Sequence, residues 1–173
     1  MTREKSMTMF SFRSVLLGTA FLVAISVIVG LGVNNVRNGS IPLVENWQQK
    51  VKEKSEQRSI ETGIRTITLE QLKERLASGE AVVVDARDPE YYDMGHIPGA
   101  INLPVHTFAE SFPAVQDRLG FEKPIIVYCE GYNCEMSDQL AQQLTGEGYF
   151  NILVYRGGIE EWTGSGQEVE KKE

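Results

Sequence analysis

Residues 14–33 read SVLLGTAFLVAISVIVGLGV, twenty positions in a row without a charged side chain. At a helical rise of about 1.5 Å per residue the run covers roughly 30 Å, the thickness of a bilayer's hydrocarbon layer. It reads as a transmembrane helix, and that leaves only the chain after it to build a soluble core. With 173 residues in all, there is room for one domain of about 100–150 residues plus this appendage. A cleaved signal peptide is the rival reading, because Arg3, Lys5 and Arg13 make a basic leader. Against it, signal cores usually run about 7–15 residues and end in a small-residue site, for which Gly30-Leu31-Gly32 is a weak match. A buried helix of a soluble core is disfavoured by the unbroken apolar length.

Basic residues leave the sidedness tied: Arg3, Lys5 and Arg13 precede the run, and Arg37, Lys50 and Lys52 follow it. The layout breaks the tie. A short basic tail (residues 1–13), one span and a large domain after it make a signal anchor, which puts the domain on the extracytoplasmic, periplasmic side. Composition shifts beyond the span: residues 1–62 carry 8 Lys+Arg against 5 Asp+Glu, and residues 63–173 carry 9 against 19. An acidic domain repels nucleic acid and anionic headgroups, so membrane contact is expected through residues 14–33 and no nucleic-acid partner is expected.

Residues 34–63 read as a juxtamembrane stalk. Ile41, Val44, Trp47 and Val51 recur every three or four positions, which gives a short amphipathic helix with Ser40 as N-cap and Pro42 in its first turn. A loosely ordered stalk fits the same polar stretch, and no chemistry is evident in it. Residues 64–164 then alternate short apolar runs (65–67, 81–85, 100–103, 123–128, 152–155) with helical patterns, the first opened by Thr68 and Gln71 as a capping box. Strands apolar throughout and separated by helices require a parallel sheet covered on both faces. A charged tail, residues 165–173, follows.

The run PIIVYCEGYNCEMS at 124–137 drives an apolar strand into a polar loop that holds both cysteines, with a helix pattern next. A thiol between a strand's carboxyl end and a helix's amino end sees unpaired N–H groups and the positive end of the helix dipole, which favour a thiolate or a bound anion. Upstream, Val84-Asp85-Ala86-Arg87-Asp88-Pro89-Glu90-Tyr91-Tyr92 and the stretch from Gly95-His96-Ile97-Pro98-Gly99 to Pro104 resemble the first signature of rhodanese-like sulfurtransferase domains; Gly148-Tyr149, then Val154 to Gly158, and Trp162 resemble their closing pattern. The resemblance covers about residues 64–164. It implies an α/β fold: a rhodanese-like five-stranded parallel sheet flanked by helices, here preceded by one N-terminal transmembrane helix. It also places Cys129 at the family's catalytic cysteine, which takes sulfur from a small sulfane-sulfur donor such as thiosulfate and gives it as a persulfide to a thiol acceptor. Cys129, Glu130, Gly131, Tyr132, Asn133, Cys134, Glu135, Met136 and Ser137 would form the substrate loop, with no cofactor and no metal.

Several residues depart from the family pattern. Many active members have an arginine just before the helix-opening serine; here Met136 stands there, and the loop is two residues longer than the common form. No cation guards the site, and Glu130 and Glu135 flank it, which opposes ionisation of the thiol. An ordinary thiol with a pKa near 8.5 is only about 3% thiolate at pH 7. Classical thiosulfate turnover is therefore in question, and a phosphatase of the related loop type lacks its bidentate grip. Cys134, five residues on, opens a second mechanism: it could attack a Cys129 persulfide and release hydrosulfide, or the two cysteines could cycle as a redox pair. A non-catalytic binding module is the third reading. Asp85 and Arg87 either orient the site or fix the turn after their strand, His96 reads as structural, and Trp162 reads as a core plug.

Overall fold

The computed structural model describes residues 12–36 and 46–172. They fall into two units, one within residues 1–45 and one within 46–173. The described part of the first is helix α1 (Phe12–Val36), in which Ser14–Asn35 is long and apolar enough to cross a membrane. The hydroxyls of Thr19 and Ser26 donate back to the carbonyls of Leu16 (3.0 Å) and Leu22 (2.9 Å). Polar side chains that satisfy themselves within the helix leave its outer surface apolar, as a hydrocarbon surrounding requires.

The second unit opens with helix α2 (Trp47–Thr62), started by the Asn46 side chain, which accepts from Gln49 N (3.2 Å). The amphipathic pattern is not what seats this helix. Trp47 is exposed, the buried residues are Ser55 and Ser59, and the expected cap at Ser40 and the positions Ile41 to Val44 lie outside the described residues. Then follow α3 (Leu69–Ser78), β1 (Val82–Asp85), α4 (Pro89–Met94), β2 (Ile101–Asn102), α5 (Phe108–Leu119), β3 (Ile125–Tyr128), α6 (Met136–Gly146), β4 (Ile152–Tyr155) and α7 (Gly158–Gly164). The capping box of α3 forms, with Gln71 N donating to Thr68 Oγ1 (3.3 Å) and Thr68 N to Gln71 Oε1 (3.0 Å).

The sheet is parallel with order β2-β1-β3-β4, so it has four strands where five are expected. The fifth, at 65–67, is reduced to one bridge between Thr66 and Val154, carried by Ile67 N to Val154 O (3.1 Å) and Val154 N to Arg65 O (2.9 Å). Thr68, the very next residue, is already committed as the cap of α3, and the extended run ends there.

Alternation along β3 divides the core. Ile125, Val127 and Cys129 face a cluster with Leu140, Ala141 and Leu144 of α6 and Phe108 and Phe112 of α5. Ile126 and Tyr128 face the opposite cluster, with Leu72 and Trp162. Each residue alternates sides because strand side chains have a period of two, and both sides are apolar because both are covered by helices. Cys129 thus leaves the sheet on the α6 side. Tyr128, inaccessible to solvent, accepts from Ile97 N (3.0 Å). Burial, reinforced by the Asp85 carboxylate, pushes its phenol far above the ordinary value of 10.0. The unfolded chain therefore ionises this group first as pH rises. Its contribution is present in full below pH 10 and is lost above it at about 1.4 kcal/mol per pH unit. Urea midpoints measured from pH 8 to 11.5 should fall steeply above 10, and Tyr128→Phe should flatten that fall.

Candidate active site

Strand β3 ends at Tyr128, and the next residue, Cys129, sits against α6 with 2% of its surface exposed. The loop from Cys129 to Glu135 turns at Gly131, whose carbonyl accepts from Cys134 N (2.9 Å). That turn brings Cys134 back to Cys129: the two sulfurs lie at disulfide distance, with Cα atoms 6.4 Å apart, inside the range such a link needs. The Ser137 hydroxyl, in the first turn of α6, lies 3.5 Å from Cys129 Sγ. Among the described residues, the N–H groups of Glu130, Gly131, Tyr132 and Asn133 meet no protein acceptor. Unspent amides can take a negatively charged group, and the Glu160 carboxylate already stands against Gly131 within this run.

Helix α7 holds the loop from the other side. Ile159 N donates to Cys129 O (3.0 Å) and Glu160 N to Glu130 O (2.9 Å). Tyr132 donates from its hydroxyl to Glu161 Oε1 (2.9 Å), and Lys52 Nζ of α2 lies 5.6 Å from the centre of its ring. Met136 packs, half-buried, against the α6-side core, so its place in the loop is taken by an apolar contact. Asn133 borders a cleft of about 600 Å³ between this loop, α2 and α7.

The loop's own residues include no cation, and arginines from elsewhere in the chain pair with its acids. The side chain of Arg87, buried just beyond β1, donates twice to Asp85 Oδ2 (2.7 and 3.2 Å) and once to Asp85 Oδ1 (3.1 Å), and its Nη1 stands 3.5 Å from Glu130 Oε2. Asp85 and Arg87 thereby close the turn after β1 and also touch the loop. Arg58, from α2, reaches Glu135 Oε1 (2.9 Å) and donates to Tyr132 O (3.0 Å) and Cys134 O (3.4 Å); its Nε faces Asp138 Oδ2 at 3.3 Å as an ion pair without hydrogen-bond alignment. Arg156, after β4, is buried and donates to the same Asp138 oxygen (2.6 Å). The loop and the first turn of α6 carry three acids, Glu130, Glu135 and Asp138, and each meets an arginine from a different part of the chain. Glu135 is largely exposed, so its pair contributes little energy, whereas the buried pairs fix geometry.

Residues 68–165 match the model of the rhodanese-like domain. The chain belongs to that family. A solved protein of Bacillus halodurans is 30% identical over 69% of this chain and 85% of its own, with a TM-score of 0.57. A rhodanese-related protein of Thermoplasma volcanium is 28% identical over 62% and 99%, with a TM-score of 0.52. A variant of EanB, solved as a complex with ergothioneine covalently linked with a persulfide cysteine, is 25% identical over 62% of this chain and 28% of its own, with a TM-score of 0.56. Helix α2 lies before the matched residues, so Arg58 and Ser59 enter the site of this rhodanese-like domain from outside the matched region. No local spacing announces them, since Arg58 and Glu135 are 77 positions apart. Asp138 and Arg156 could have been flagged, as charged residues within apolar helix and strand patterns.

Proposed function

We propose that the protein is a membrane-anchored sulfurtransferase that carries sulfane sulfur as a persulfide on Cys129. The observation behind this reading is the position of Cys129, at the carboxyl end of a central strand of a rhodanese-like domain, beside the Ser137 hydroxyl and a fan of unspent loop amides. The Cys129 thiolate attacks the outer sulfur of a donor such as thiosulfate. The donor's S–S bond breaks, sulfite leaves with the electron pair, and Cys129 is left as a persulfide whose charge the amides cradle. A thiol acceptor then attacks the terminal sulfur and restores the Cys129 thiolate. The persulfide cysteine in the EanB complex is a precedent within this fold. Helix α1 is long and apolar enough to span a bilayer, which supports the anchor; a domain on the periplasmic side is part of the same proposal.

The pairing of Cys134 with Cys129 favours a second ending to the same cycle. The Cys134 thiolate attacks Cys129 Sγ, the Sγ–S bond of the persulfide breaks, and hydrosulfide departs. The sulfane sulfur is reduced and the two cysteines are oxidised to a disulfide. An external dithiol must then reduce the pair, and it meets half-buried Cys134 before buried Cys129.

Mass spectrometry of the reduced full chain in detergent, after incubation with thiosulfate or polysulfide, tests both. In Cys134→Ser the persulfide should persist, as one added sulfur on Cys129 that thiol removes. In the wild type, hydrosulfide should appear together with the loss of two hydrogens across the pair. Cys129→Ser should take up no sulfur. If neither change occurs in any form, the domain binds without catalysis.

A further inference from the structure

The fully buried side chains of helix α2 are two serines, Ser55 and Ser59, with Val51 only half-buried; the helix meets the domain through these, through Arg58 and through Lys52 over the Tyr132 ring. Ser59 Oγ accepts from Arg156 Nε (2.9 Å) and donates to Ser55 O (3.1 Å), which seats the helix on the buried Arg156–Asp138 pair. The next residue back, Arg58, is aimed by that seating at the cysteine loop. Its guanidinium touches Tyr132 O, Cys134 O and Glu135 Oε1 and faces Asp138, so one planar group ties the loop tip, the second cysteine and the first turn of α6 together. A rigid fork of five donors suits this task, where a lysine's single point of charge does not. The turn bond from Cys134 N to Gly131 O fixes the other side of the same peptide segment.

We propose that Arg58 is a positioning residue for Cys134: by gripping the backbone on either side of Asn133 it holds the Cys134 sulfur against Cys129 and sets how readily the pair closes. The inference rests on the cysteine pairing described above. It assigns the stalk helix a part in deciding whether a Cys129 persulfide is discharged internally, as hydrosulfide, or survives for an external acceptor. Two effects of Arg58 oppose each other. Holding the loop raises the effective concentration of one sulfur at the other and favours the disulfide. Its positive charge favours the reduced thiolates. Geometry dominates, because the charges of Arg58 and Arg156 are balanced in one cluster by Glu135 and Asp138.

The test is the equilibrium of the full-length protein in detergent with reduced and oxidised glutathione, read by mass after acid quench. It needs no sulfur donor, so its failure is separable from failure of the persulfide reading. Arg58→Ala should lower the disulfide-forming equilibrium constant about tenfold, about 30 mV for a two-electron couple. Arg58→Lys, which keeps the charge and loses the fork, should fall nearly as far, and the persulfide should last longer in both. Arg58→Gln, with two amide donors, should be intermediate and stands in if the alanine variant unfolds. Equilibrium constants within twofold of wild type for Ala and Lys overturn the proposal. So does full rescue by Lys, which would make charge the cause, and so does a wild type that stays dithiol at every glutathione ratio.

Discussion

Asp85→Ala should cost about 3–5 kcal/mol of folding stability, the loss that follows when one partner of a buried ion pair is removed and the other stays behind. Both carboxylate oxygens of Asp85 are committed: Oδ1 accepts from Arg87 N (2.9 Å) and Arg87 Nε (3.1 Å), and Oδ2 accepts from Arg87 Nη2 (2.7 Å). The variant strands a guanidinium that is about 95% shielded from solvent, with Gly95 O (2.8 Å) as its remaining close acceptor. A domain of this size has about 5–15 kcal/mol in all, so the loss should be plain in urea unfolding. Asp85→Asn should cost less, because an amide oxygen can still accept from Arg87 N. A second effect separates this from an ordinary core lesion. Arg87 is the arginine nearest Glu130, at 3.5 Å, so even the folded fraction of Asp85→Ala should load sulfur on Cys129 more slowly. An unfolding free energy within about 1 kcal/mol of wild type would show that Arg87 finds another partner or water.

What the sequence made legible follows from how local each cause is. The capping box at Thr68 and the apolar strand running into Cys129 are written in consecutive residues, and both appear as expected. Asp85 and Arg87 are two apart, and their mutual bond needs only the turn between them. The strand at 65–67 was legible as an extended run but not as a mere bridge, because pairing length depends on where α3 must start. The acids of the loop were visible and their partners were not. Arg58, Arg87 and Arg156 reach Glu135, Glu130 and Asp138 only after the chain has crossed over the sheet. Helix α2 was the least legible, since a helix seated by serines and an arginine has the same composition as a solvated stalk.

Gly158→Ala should be the most damaging single-methyl change in the domain. Gly158 has φ +60°, in the left-handed region where a side chain costs about 1–2 kcal/mol. A Cβ built there would lie 2.5 Å from Cys129 O and would collide with Glu130 O as well. Both obstacles are backbone, and neither can swing away. These same carbonyls accept from Ile159 N and Glu160 N, so relieving the clash means lifting α7 off the start of the cysteine loop. Strain and overpacking together set an expected loss of about 3 kcal/mol or more. Gly99→Ala provides the comparison, since Gly99 has φ +75° but open space around its missing Cβ; it should show the conformational cost alone, about 1–2 kcal/mol. If the two variants unfold at the same urea concentration, the close approach at Gly158 relaxes freely. If they differ as expected, Gly158→Ala should also have weakened the Cys129–Cys134 closure, because the two carbonyls that must give way belong to Cys129 and the residue after it.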